Sequence, residues 1–271
     1  NTGALIKTGS GFLSLSASNS YTGGTAIALG STEGIIIGHD NAFGTGTVPN
    51  LAVGGTFQSD TTRTVANNFI LDKNTFFTGS GSLTINGTLS ISASPDLTNN
   101  LTGGLTLGNL TLGNNNTSRT LNIRGTGNTA INGIIANASS QTTNNLSIGG
   151  SGITSLNGNN TYTGATTIQA GAIAKLGHAN GLGSTSSGTT ISSGGALDLN
   201  GQTGVAEAIT GGGSGVSSSG LLLNSSASAA SLSGAVALSA NTTIAVTNGA
   251  ITLSGAISDS GGTRSLAGPV P

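Results

Sequence analysis

His39 and His178 are the only histidines of this 271-residue chain, and acid–base or metal chemistry near neutral pH would start with them. Each follows a Gly, and an Asn stands two residues on, at Asn41 and Asn180. As ligands of a shared metal they would need further donors, because one imidazole in each of two distant segments is not a site. We read them instead as corner histidines hydrogen-bonded to backbone. The carboxylates Glu33, Asp40, Asp60, Asp72, Asp96, Asp198, Glu207 and Asp259 are scattered. A β-helical glycosidase or lyase needs two or three acids, or acids with Arg, converging on one groove. Stacking can bring distant segments together, so sequence distance leaves that alternative open, but solvated corners are the simpler expectation. There is no Cys, which removes disulfides, thiolate catalysis and Cys-ligated zinc together. The run Gly211-Gly212-Gly213 lacks the Lys-Ser/Thr of a phosphate loop. We therefore assign no catalytic, cofactor-binding or metal-binding residue and expect no cofactor and no enzymatic activity.

More than half of the chain is Gly, Ser, Thr or Asn, yet only 15 residues are charged and the net charge is −1. Such a surface has no cationic field for phosphates or anionic lipid, so nucleic acid is not an expected partner. No apolar run approaches the roughly 20 residues of a membrane-spanning helix, so direct membrane insertion is not expected. Met is absent, and the first residues lack a basic stretch leading into an apolar one. The chain is expected to be a processed product or a segment of something longer.

The elements that would hold any site are short. Gly, Ser, Thr and Asn interrupt every window in which a helical stripe could run. What recurs is apolar–polar–apolar followed by Gly or Asn: Leu83-Thr84-Ile85-Asn86-Gly87, Leu105-Thr106-Leu107-Gly108, Leu110-Thr111-Leu112-Gly113, Leu197-Asp198-Leu199-Asn200 and Ile251-Thr252-Leu253-Ser254. Alternation with period two puts the flanking apolar pair on one face and the central residue on the other. Gly and Asn then turn the chain. Short strands, tight corners and few aromatics predict an all-β solenoid of stacked coils over residues 1–271, in preference to a sandwich or barrel. Leu83/Ile85, Leu105/Leu107, Leu121/Ile123 and Ile251/Leu253 should face one core, with Thr84, Thr106 and Thr252 outward.

A long-period duplication overlies these units. Asn19, Tyr21, Thr22, Gly23 and Thr25 correspond to Asn160, Tyr162, Thr163, Gly164 and Thr166, within copies at 5–59 and 146–201. Gly38-His39, Asn41 and Gly44 correspond to Gly177-His178, Asn180 and Gly183, and the residues from Leu266 read as the opening of a third copy. The pattern Gly-Ser-Gly-x-Leu-x-Leu-x-x-x-Asn-x-Tyr-x-Gly-Gly-Thr resembles the autotransporter-associated β-strand repeat, or passenger-associated transport repeat. The second copy departs from it at Thr154 and Ala165, positions that bear on its turn geometry. The resemblance implies a right-handed parallel β-helix of roughly 20–24 residues per coil. It also implies export to the surface of a Gram-negative or related bacterium, often with a translocator barrel elsewhere in the parent polypeptide.

On this reading the chain is a non-catalytic extracellular stalk, structural or adhesive. Alternatives are a filament subunit joined end to end and a β-helical carbohydrate-active enzyme or binding module. No capping element is visible at either end. The expected partners are therefore further coils of the same polypeptide, or neighbouring subunits, at both ends, with a host-cell or glycan ligand left open. For Asn19/Asn160 and Tyr21/Tyr162 the functional reading is a recognition surface. The structural reading, which we prefer, is Asn satisfying corner backbone and Tyr packing over the coil with its hydroxyl bonded.

Overall fold

In the computed structural model, residues 2–28, 33–50, 55–113, 117–138, 143–259, 261 and 265–267 are described. They form a parallel β-solenoid whose strands lie on three faces. Face one carries Leu5–Lys7, Thr25–Ile27, Val48–Asn50, Phe69–Leu71, Leu89–Ile91, Leu110–Leu112 and Ile135–Asn137. Face two runs from Leu13–Leu15 to Ile257–Asp259, with twelve strands among the described residues. Face three runs from Arg63–Val65 to Leu266–Ala267. Every pairing between named strands is parallel, as in Leu83↔Leu105 and Leu105↔Thr129. Twelve strands at about 4.8 Å spacing make a rod roughly 50 Å long.

The alternation expected from the sequence is present. Leu83, Ile85, Leu105, Leu107, Leu121 and Ile123 are buried, while Ile251 and Leu253 are half-buried against the same core. Thr84 and Thr106 face outward half-exposed, and Thr252 is exposed. In the early coils Phe43, Phe57, Phe69 and Phe77 fill the interior, with ring centroids 5.3 to 6.0 Å apart in edge and stacked pairs. Later coils close with Leu, Ile, Val and Ala around a single aromatic ring, Tyr162. The longest strand, Val236–Ala245, has ten residues, twice the upper end of the three-to-five-residue unit. Its first part pairs on face two and its last part on face three, so it turns a corner without a break.

Coil length varies more than the resemblance implies. Strand partners lie 20 residues apart at Leu5↔Thr25 and 27 apart at Ile209↔Val236. The longest coil includes a 3-10 turn, Val216–Ser218, between faces two and three. The corners explain why coils of unequal length still stack. A Cβ on Gly81 would sit 2.1 Å from the Thr61 carbonyl oxygen, and one on Gly87 2.1 Å from that of Asn67. Both corners admit only glycine because the preceding coil's backbone occupies the space. Asparagine then continues the hydrogen-bond ladder where strands stop. The Oδ1 atoms of Asn68, Asn109 and Asn128 accept the N–H of Thr88, Ile134 and Ile153, one coil on, at 2.8 to 2.9 Å. The abundant uncharged polar residues thus bind coil to coil, each such bond contributing about 1 kcal/mol.

Candidate functional site

The most specific sequence positions form a compact polar corner. In the second copy, Asn160 is buried; its Oδ1 accepts Ile135 N–H at 2.8 Å and its Nδ2 donates to Gly181 O at 2.6 Å. One amide therefore joins the coil below to the coil above. Tyr162 is fully buried, and its hydroxyl donates to Thr166 Oγ1 at 2.6 Å while Thr166 donates to Leu182 O. Burial, more than any neighbouring charge, pushes the Tyr162 hydroxyl well above its ordinary pKa. Above this segment lies the second half of the motif, a turn in which Gly183 N donates to Asn180 O and Ser184 N to Tyr162 O. Gly183 has φ +87°, and a Cβ there would meet the Tyr162 ring at 2.8 Å, so the ring and the glycine are one packing unit.

The first copy repeats the arrangement. Asn19 Nδ2 donates to Ala42 O at 2.8 Å, Tyr21 meets Thr25 Oγ1, Gly44 N donates to Asn41 O, and Thr45 N to Tyr21 O. Residues 5–31 and 149–174 match the family model described as Passenger-associated-transport-repeat. The chain carries this repeat twice. No curated protein and no solved structure matches the chain. The duplicated turn at 39–45 and 178–184 lies beyond the matched residues, so the structural unit of the passenger-associated transport repeat is longer here than the match.

The two repeats occupy different faces. In the first, the strands flanking Tyr21 are Leu5–Lys7 on face one, Leu13–Leu15 on face two and Thr25–Ile27 on face one. In the second they are Asn145–Ile148 on face two, Ile153–Leu156 on face three and Thr166–Ile168 on face two. The motif has moved by one face, and wherever its tyrosine segment falls it replaces a strand. Face three begins at Arg63–Val65, above the first motif, where Asp40 Oδ1 accepts Thr64 N–H at 3.1 Å. The unbroken strand run of face one ends at Ile135–Asn137, where Thr161 N and Tyr162 N both donate to Ile135 O.

Of the residues considered for chemistry, the histidines are half-buried corner groups. His39 Nδ1 accepts Asn41 N–H and His178 Nδ1 accepts Asn180 N–H, each at 3.0 Å. The acids have different partners. Asp60 accepts from Gln58, Asp96 pairs with Arg124 at 3.4 Å, and Asp198 accepts the N–H of Asn200 and of Ser225. Asp198 also faces Lys175 at 3.9 Å. Asp72 is raised by partial burial, with Lys73 opposing; Glu33 is half-buried and Asp259 exposed. Among the described residues, no three His, Asp or Glu side chains gather as a metal site would require, and no helix is long and apolar enough to cross a membrane. Glu207 and Asp198 are both 3% exposed, and Glu207 differs in that its Oε2 is buried without a hydrogen-bond partner. The signal for it was its place in Val205-Ala-Glu-Ala-Ile209, an acid at an otherwise apolar strand entry.

Proposed function

We propose that this chain is a non-catalytic rod within a bacterial surface protein of the autotransporter type, serving as an extracellular structural or adhesive stalk. One observation carries the reading: two passenger-associated transport repeats are built into one parallel solenoid whose side-chain amides and hydroxyls are spent on bonds between coils. A rod held this way resists bending because each coil pairs with the one above and below along its strands. Folding coil by coil outside the cell would need no energy source there. The partners we propose are further coils of the same polypeptide or neighbouring subunits. Exposed Ile6 and Phe12 in the first coil, and Ile257 and Leu266 in the last described one, are the apolar surfaces they would cover.

The test compares cells making the parent polypeptide with and without residues 1–271. Deletion should lower the surface layer by roughly 50 Å and reduce adhesion to host cells or glycan-coated surfaces. Unchanged layer height together with loss of a polysaccharide-cleaving activity would overturn the stalk in favour of an enzyme. Light scattering of the isolated chain separates the partners. Particle length that grows with concentration supports end-to-end subunits, and constant length supports continuation within one polypeptide.

A further inference from the structure

Two buried acids, each 3% exposed, are treated differently by the fold. Asp198 has two backbone N–H donors and a lysine nearby. Glu207 has one donor: Thr189 Oγ1 gives its hydrogen to Oε1 at 3.0 Å, and Oε2 is buried without a hydrogen-bond partner. Thr189 is the strand partner of Thr166, which holds the Tyr162 hydroxyl. A polar column thus runs from Tyr162 through Thr166 and Thr189 to Glu207, beside the buried Ile168, Ile191 and Ile209. Residues 189–191 and 236–238, which pair on either side of the strand Ile209–Gly213 that follows Glu207, carry no ionisable side chain. The turn at 182–188 carries none either, so the titratable group facing Glu207 is Tyr162, whose own proton Glu207's charge helps to retain.

We propose that Glu207 is a proton-operated latch on the second repeat: protonated, it lets the coils from Asn160 to Gly213 close, and ionised, it loosens them. An ionised carboxylate here would leave one oxygen charged, dry and unpartnered, which the fold tolerates poorly. A neutral carboxyl keeps the Thr189 bond at a far smaller desolvation cost. Burial raises the Glu207 pKa to about 7, against the opposing pull of the Thr189 hydroxyl. The folded value lies above the unfolded one. The latch therefore contributes fully below the ordinary carboxylate range and is lost as pH rises through about 7.

The experiment uses the whole chain with Tyr21→Phe, which leaves Tyr162 as the only tyrosine in a protein without tryptophan. Tyrosine emission and amide exchange of Thr189–Ile191 and Ile209–Gly213, corrected for intrinsic rates, are followed from pH 4.5 to 8.5. The opening constant of these strands should rise on the order of 10²-fold, with emission changing over the same range. Glu207→Gln should flatten both profiles. Thr189→Val should move the midpoint to higher pH, because it removes the donor that favours the charged form. A flat profile in the parent chain, or a Glu207→Gln profile that follows the parent's, would overturn the latch. Should Glu207→Gln fail to fold, the direction of the Thr189→Val shift decides, and an unmoved midpoint counts against it.

Discussion

The two repeats share the asparagine bond to the turn above, the Tyr–Thr hydroxyl pair and the turn's own backbone bonds, yet only one of them is sealed. Tyr162 is fully buried, with the 133–137 segment beneath it; Tyr21 is half-buried, and its coil is the first of the described residues. Asn160 holds the coils on both sides, whereas Asn19 bonds upward to Ala42. Local sequence builds the corner, and the neighbouring coil decides how much the corner stabilises. A repeat protein can therefore carry one motif in copies of very different energetic weight.

The largest test of that contrast is the tyrosine. Tyr162→Ala should destabilise its coils by about 3–5 kcal/mol through the cavity it leaves, and Tyr21→Ala by roughly 1–2 kcal/mol. Denaturant unfolding of the two single variants checks this, and equal losses would break the comparison. Asparagine comes next. Asn160→Ala leaves Ile135 N–H and Gly181 O buried and unpaired, costing about 2–3 kcal/mol, against about 1 kcal/mol for Asn19→Ala. Amide exchange at Ile135 should accelerate in the first variant alone.

The turn before the third strand of each motif gives a smaller, opposite pair. Gly24 has φ +88°, and a Cβ there would lie 2.5 Å from Thr47 O, while Ala165 at the matching position has an ordinary backbone. Gly24→Ala should cost at least about 1–2 kcal/mol and Ala165→Gly only about 0.5 kcal/mol, read by thermal unfolding. The departure at Ala165 thus changes the turn but not its result: Leu146 N still bonds Ala165 O at 3.0 Å, as Leu5 N bonds Gly24 O at 2.9 Å. Smallest are the histidines. His39→Ala and His178→Ala each remove one half-exposed bond to backbone and should cost no more than about 0.5–1 kcal/mol, similarly in both repeats. A metal-dependent shift in unfolding that either variant abolishes would contradict the corner role.

Much of this was readable before any coordinates. Leu83-Thr84-Ile85 alternates because a strand's side chains alternate, a property of three adjacent residues. The motif's Asn, Tyr, Thr and Gly meet across a corner of a few residues and across one stacked turn, so their spacing survives as a visible duplication. The third copy read at Leu266 reaches the described residues only as the pairing of Leu266 and Ala267 with Thr242 and Thr243, and residues 268–271 lie outside them. The two glycine corners left only a Gly-rich composition in the sequence, since the clash that requires Gly81 lies with Thr61, a coil away. Glu207 looked like its seven fellow acids for the same reason: its donor, Thr189, is 18 residues back.

By itself the sequence determined the strand unit, the parallel stacking it demands and the chemistry of the repeated corner, because each depends on residues within one turn of chain. Tertiary structure alone decided that the second repeat sits one face around from the first, that Tyr162 is sealed and Tyr21 is not, and that Glu207 is dry. Those outcomes depend on the summed lengths of coils from 20 to 29 residues, which set what lies above and below every side chain. No single window of sequence contains that sum.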